Sequence, residues 1–273
     1  MIMKKSDLER LQLKANWVWQ ETVRIHYLAP ETRVASSLSP VEILTVLYYG
    51  GFVDFFPKNR FSKKRDRVII SKGHGSLCMY PILADLGFFS KNKLKTVCQS
   101  GSFLGGIPDP IIPGYETING SLGHGIGVSS GIAIALKKQK IARKVFVLVG
   151  DGELHEGSNW EAIMLAGQLN LNNLVVLLDN NKISMLDKTD NIINHRNLPQ
   201  KMKEFGWETL EVKDGHSVME VYSALNQTKK QTKPQFIIFN TNKGNKVPKL
   251  ENLPLSHVIP IDKNYMKEIF KDE

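Results

Sequence analysis

Residues 150–181 read GDGELHEGSNWEAIMLAGQLNLNNLVVLLDNN. The glycine turn Gly150-Asp151-Gly152 follows the apolar run 145–149, and Asn180-Asn181 follows the apolar run 174–178. Between the two lies EGSNWEAIMLAGQLNL, a helix-like stretch. The reading is strand, tight turn, helix, strand. In a βαβ unit both strands run the same way and their ends open on one edge of the sheet. Asp151 and Asn181 are therefore expected to meet there, although 30 positions separate them. A carboxylate and a carboxamide beside glycine backbone are hard oxygen ligands for a magnesium-like ion, and such ions often hold a diphosphate.

Working outward, the same alternation continues. Short strands are expected at 68–70, 209–212 and 236–240, with helices over 76–86, 123–136 and 218–229. The first helix is expected over 6–28, with Leu8, Leu11, Leu13, Trp17, Val18, Val23 and Ile25 as its apolar positions. Ser39-Pro40 reads as an N-cap and first-turn proline of a helix ending at Tyr49, before Gly50-Gly51. Residues 100–123, SGSFLGGIPDPIIPGYETINGSLG, form a long loop. Its apolar content (Phe103, Leu104, Ile111, Ile112, Tyr115) points to order and function. Strands alternating with helices predict an α/β fold, a mostly parallel sheet with helices on both faces. The chain reads as one domain over 1–273, with an N-terminal helical segment and a C-terminal extension from Pro254 that leaves the domain and ends in a helix at 264–270.

The 273 residues carry a net charge of +9, which fits a lysine-rich solvated surface and leaves open anionic small substrates, an acidic partner chain or nucleic acid. The basic residues are scattered, the densest run being KKQKIARK (137–144), and no nucleic-acid motif accompanies them. Two cysteines make no disulfide framework and no metal-ligand spacing. No signal-peptide core and no membrane-spanning run is present, so a cytoplasmic location is expected.

Four glycine-rich turns occur: KGHGS (72–76), FLGGIPDP (103–110), GSLGHG (120–125) and GDGELHEG (150–157). Three precede a helix, whose free N–H groups suit an anion. Together with the Asn-Asn pair, they carry a resemblance. The segment 150–184 resembles the thiamine-diphosphate motif, GDG then NN. Its E-G-x-x-W-E-A and L-x-N-L details are similar to the transketolase family. RDRVIISKGHGS, GSLGHG, ETRVASSLSPVEILTVLYYG and KGNKVPKLENLPLSH resemble further segments of that family, which together cover residues 8–258.

The resemblance implies a thiamine-diphosphate-binding fold and a set of roles. Asp151, Asn181 and the Ile183 carbonyl would ligate Mg²⁺ (or Ca²⁺). Gly152, Glu153, Asn181 and the turn Gly120, Ser121, Leu122 would contact thiamine diphosphate. His74 and His257 would lie by the diphosphate and the reacting carbon. Glu156 matches a family glutamate near the subunit contact and is placed with the catalytic residues. In the family a glutamate on a second domain activates the cofactor, and this chain matches only the first domain. The resemblance thus implies the N-terminal subunit of a split transketolase. Its partner would be a separately encoded chain with the pyrimidine-binding and C-terminal domains, the two forming a heterotetramer. Such a chain would be inactive alone.

Two positions depart from the family pattern. Arg33 stands where S-G-H-x-G has a substrate-contacting histidine, and Ile107 where P-G-H-P has another. A guanidinium can hold a carboxylate or phosphate. The expectation is ketol transfer between sugars or sugar phosphates, specialised for a modified sugar in surface-polysaccharide synthesis. Three other assignments are weighed. The α-type subunit of a 2-oxoacid dehydrogenase shares GDG…NN but not the GHGS and GSLGHG turns or His257. A 1-deoxyxylulose-phosphate synthase is a single long chain. A catalytically silent scaffold subunit has no need of Asp151, Gly152, Asn181 and His74 together.

Overall fold

The structure, a computed structural model, describes residues 3–270; positions 1–2 and 271–273 lie outside it. Five parallel strands form one sheet in the order β1-β2-β3-β5-β4. They are β1 (Arg67–Ile70), β2 (Val145–Gly150), β3 (Leu174–Asn180), β4 (Glu208–Val212) and β5 (Gln235–Asn240). Each expected strand is present, within one or two residues of its expected ends. The β2–β3 register pairs Gly150 with Asp179, which brings the two motif ends side by side.

Successive side chains of β3 alternate between two cores. Val175 and Leu177 face one core, shared with α1 (Lys5–Leu28), α3 (Val41–Tyr49), α4 (Met79–Asp85) and α9 (Val218–Gln227). Leu174, Val176 and Leu178 face the other, shared with α5 (Gly125–Lys138), α6 (Gly157–Gln168) and Met202 of α8 (Leu198–Glu204). Both faces of the sheet are covered, so β2 and β3 up to Leu178 read as unbroken apolar runs. Two short helices, α2 (Val34–Leu38) and α7 (Thr189–Ile192), escape periodicity because neither completes two turns.

Three details differ from expectation. Leu13 lies on the solvent side of α1, 74% exposed, while Leu11, Val18 and Val23 are fully buried. Ser39 caps nothing. Pro40 takes the N-cap position without a side-chain bond, and the Ser39 hydroxyl turns to the Asp179 carboxylate at 2.6 Å. The C-terminal extension does not leave the body. Ile261 and Tyr265, the latter in α10 (Lys263–Ile269), are buried in the first core, and Phe270 packs on Trp19.

His26 of α1 anchors this tail. The Thr32 hydroxyl donates to the Ala29 carbonyl, so it accepts from His26 Nδ1, which leaves Nε2 to accept the Ile261 N–H at 3.3 Å. Both roles require a neutral ring. Burial pulls the imidazole down to about 4, against a weaker opposing pull from Glu31. A histidine in the unfolded chain titrates near 6.5, so the unfolded chain takes up the proton first as pH falls. His26 therefore favours the fold fully above about pH 6.5. That contribution is lost between about 6.5 and 4, up to roughly 3 kcal/mol. Hydrogen exchange corrected for intrinsic rates should show residues 259–270 opening more at pH 5 than at pH 7. A tail equally protected at both would refute this anchor.

Candidate active site

Parallel strands bring every carboxyl end to one sheet edge. There Asp151 follows β2 and Asn181 follows β3. Asp151 accepts the Gly152 N–H on Oδ1 at 2.8 Å and the Lys182 N–H on Oδ2, which seats it against the peptide that follows Asn181. Asn181 Oδ1 accepts the Ile183 N–H at 3.1 Å. The Ile183 carbonyl accepts no hydrogen bond among the described residues. Burial pushes the Asp151 carboxyl up to about 7, with Asp179 adding to it and the two N–H bonds and Lys72 opposing. A buried carboxylate so disfavoured is one that a cation would stabilise. Carboxylate, carboxamide and carbonyl oxygen form a hard donor set, so the residues fit a magnesium-like ion. No group of three His, Cys, Asp or Glu side chains poised for a metal occurs among the described residues.

Beneath this lies a buried ion pair that the motifs do not announce. Asp179, the last inward residue of β3, receives the Lys72 ammonium, the Ser39 hydroxyl and the Thr241 hydroxyl. Its alternation with Val175 and Leu177 points it at the side where Ser39 and Lys72 stand. Both charged side chains are essentially inaccessible. Burial alone would raise the Asp179 carboxyl, but Lys72 and the two hydroxyls outweigh it and hold the carboxyl below its ordinary range.

The glycine turns converge on one carboxylate. Glu153 is buried. Its Oε1 accepts the Gly123 N–H at 2.9 Å and the Ser71 hydroxyl, and its Oε2 accepts the Gly150 N–H at 3.4 Å. Ser71 Oγ in turn accepts the Gly125 N–H at 3.0 Å. The carboxylate is thus engaged with the protein, tying KGHGS, GSLGHG and GDG together. Gly120 and Ser121 remain exposed, and Leu122 is half-buried. The residue after the 3₁₀ turn Gly152–His155, Glu156, also stands exposed, with its Cβ and Cγ against Gly123.

Basic side chains gather at the same edge. His74, in the turn Gly73–Gly75, is pulled down to about 3 by burial, then by Lys72, Lys243 and His257. Lys243 follows β5, is 3% exposed, and donates to the Ser184 carbonyl at 3.0 Å. Burial and Lys72 bring its ammonium down to about 8. His257 is lowered by burial, Lys243 and Arg33. These mutual effects put His74, Lys243, His257 and Arg33 in one neighbourhood. Ile107 lies beside the GSL turn, its Cδ1 3.3 Å from where a Cβ on Gly120 would sit.

Residues 34–272 match the family model described as transketolase, thiamine diphosphate binding domain. The chain belongs to the transketolase family. It is 38% identical over 251 residues to an apulose-4-phosphate transketolase subunit of Actinobacillus succinogenes, an overlap covering 91% of this chain and 90% of that protein. It is 34% identical to a 6-deoxy-6-sulfo-D-fructose transketolase subunit of Clostridium sp. (86% and 85% covered). Human transketolase is 34% identical over a 273-position alignment that covers 98% of this chain but 43% of that one. The crystal structure of Campylobacter jejuni transketolase superposes with a TM-score of 0.89 at 32% identity, covering 97% of this chain and 43% of that one.

Sequence reading of this transketolase chain misses Lys72, Asp179, Lys243 and Ser39. A signal exists for two of them. Asp179 interrupts a strand that is otherwise apolar on both faces, and a charge there needs a partner. Lys72 lies two residues past the end of a buried strand, on the same edge. Among the described residues no helix is long and apolar enough to cross a membrane.

Proposed function

We propose that this chain is the diphosphate-binding subunit of a two-chain transketolase, transferring a two-carbon ketol unit between sugars. The observation that carries this reading is the sheet edge itself. Asp151 lies beside the Asn181–Lys182 peptide, under a cluster of Lys72, His74, Lys243 and His257. Asp151, Asn181 and the Ile183 carbonyl would hold Mg²⁺, and the exposed Gly120–Leu122 turn with Gly152 would line the cofactor. Bound thiamine diphosphate supplies the nucleophilic carbon that carries the transferred unit. His74 and His257, both kept neutral by their surroundings, can accept or donate a proton at a substrate hydroxyl. Lys243 would offer its ammonium to the diphosphate oxygens.

The partner would be a separate chain with the pyrimidine-binding and C-terminal domains, two copies of each assembling as a heterotetramer. Support comes from the surface beside the site. Val128 of α5 and Met164, Leu165 and Leu169 along and just after α6 are exposed, and a Cβ on Gly127 or Gly131 would meet open space. Such an apolar face is suited to being covered. Glu156 and the GSL turn border it. The test is ketol transfer by the purified chain, alone and with the adjacent gene's product. No turnover alone and turnover in the mixture is expected. Turnover by the chain alone would overturn the reading, and Asp151→Asn should abolish Mg²⁺-dependent cofactor binding in either preparation.

Substrate choice falls on Arg33. Its charge acts on His257, and the apolar Ile107 lies at the GSL turn. Two relatives carry apulose-4-phosphate and 6-deoxy-6-sulfo-D-fructose in their names. This favours a modified sugar with an anionic or unusual substituent. The surface-polysaccharide pathway stands on the sequence alone. Arg33→His in the reconstituted enzyme should change the kcat/KM ratio between donors by about tenfold, the weight of one charged hydrogen bond. An unchanged donor profile would remove Arg33 from this role.

A further inference from the structure

A second cavity lies at the opposite edge of the sheet. It encloses about 430 Å³ between α3, residues 53–66 ahead of β1, Phe88 and the loop 110–116. Its walls are aromatic. Tyr48 packs on Phe55 with centroids 5.7 Å apart, and Phe55 on Phe88 at 5.9 Å.

Tyr48 is 5% exposed and lines the cavity, and its hydroxyl makes no hydrogen bond to another described residue. Arg65 and Glu116 line the cavity with Tyr48 and act on that hydroxyl electrostatically. Burial, reinforced by Glu116, keeps it protonated and able to donate. A ligand oxygen in the cavity can accept from it.

The charges of the wall are mostly engaged. Glu116 is held by both arms of Arg65, with Arg67 4.0 Å away. Asp66 accepts the backbone N–H groups of Asp54 and Lys144, each at 2.8 Å. Arg60 is left over. Its guanidinium lies 4.8 Å over the Phe61 ring, with no carboxylate partner among the described residues.

We propose that this cavity binds a small anion carrying a planar ring. The ring lies among Phe55, Phe88 and Tyr48, and the anionic group meets Arg60 and the Tyr48 hydroxyl. A space of this size, walled by aromatic rings and by the charged Arg60, Arg65, Asp66 and Glu116, falls in the range of small-ligand sites. The site is separate from the cofactor edge and does not depend on the reaction proposed there.

The test is calorimetric titration of the purified full chain with phenyl phosphate as probe. One-to-one binding is expected, unchanged by saturating thiamine diphosphate and by Asp151→Asn. Tyr48→Phe should weaken it about fivefold and Arg60→Ala about tenfold. Both variants should unfold as the parent does, because each removes a group with no hydrogen-bond or ion-pair partner among the described residues. Inorganic phosphate should bind at least tenfold more weakly, since it has no ring. The proposal is overturned by any of four results: no saturable binding, displacement by thiamine diphosphate, affinity unchanged in both variants, or phosphate binding as tightly as phenyl phosphate.

Discussion

Replacing Lys72 with methionine is expected to lower the stability of the isolated chain by about 3–5 kcal/mol, measured by denaturant unfolding. The substitution fits the space but strands the Asp179 carboxylate, which is 0% exposed, with only the Ser39 and Thr241 hydroxyls. Two neutral donors cannot replace an ammonium in a buried site. Asp179→Asn strands the opposite charge and should cost a similar amount. The double variant Lys72→Met/Asp179→Leu leaves no unpaired charge and should recover much of the loss, because a buried pair stabilises little over a well-packed apolar one. Losses that add in the double variant would mean the two side chains act independently. The same variants should weaken cofactor binding more than they weaken the fold. Lys72 lies between the Asp179 carboxylate and the surroundings of Asp151 and His74, and its charge acts on all three.

This pair also marks the limit of what the sequence makes legible. The GDG turn and Asn-Asn pair each lie at a strand end, and strand ends are read from apolar runs with glycine or asparagine after them. Parallel order then forces Asp151 and Asn181 together without further information. The Lys72–Asp179 pair joins positions 107 apart, and nothing local to either residue specifies the other. Ser39 misleads for a similar reason. Serine before proline is a sound local cap signal, but a buried carboxylate on β3 competes for the same hydroxyl and wins. The C-terminal tail reads as detached because it follows the last strand and nothing local in it names what it packs on. It is held by His26, a contact 235 positions away. The glutamate Glu153 shows a third case. The resemblance places it by the cofactor, at the heart of the GDG motif. What its carboxylate does is join three glycine turns, a role visible only once Ser71 and Gly123 are beside it.

Those turns meet so closely that one methyl group should separate them. Gly73→Ala is expected to reduce thiamine diphosphate affinity at least tenfold and to destabilise the chain by about 1–3 kcal/mol, the usual cost of overpacking. A Cβ on Gly73 would overlap the Asn119 carbonyl oxygen and lie 2.8 Å from its carbon and 3.3 Å from the Gly120 nitrogen. All three atoms are backbone, so no rotamer change relieves the clash. The relief must come from moving residues 119–122 away from the KGHGS turn, and these are the residues that carry Gly120, Ser121 and Leu122. The reason for glycine here is contact and not conformation, since Gly73 does not have a positive φ. Gly127→Ala supplies the contrast. It lies within α5 with no atom near the added methyl, and alanine there should stabilise the isolated chain by about 0.5–1 kcal/mol. Calorimetric titration of cofactor with Mg²⁺ into each variant, alongside its unfolding curve, separates the two effects. A Gly73→Ala chain that binds cofactor like the parent would show that the GSL turn takes no part in holding it.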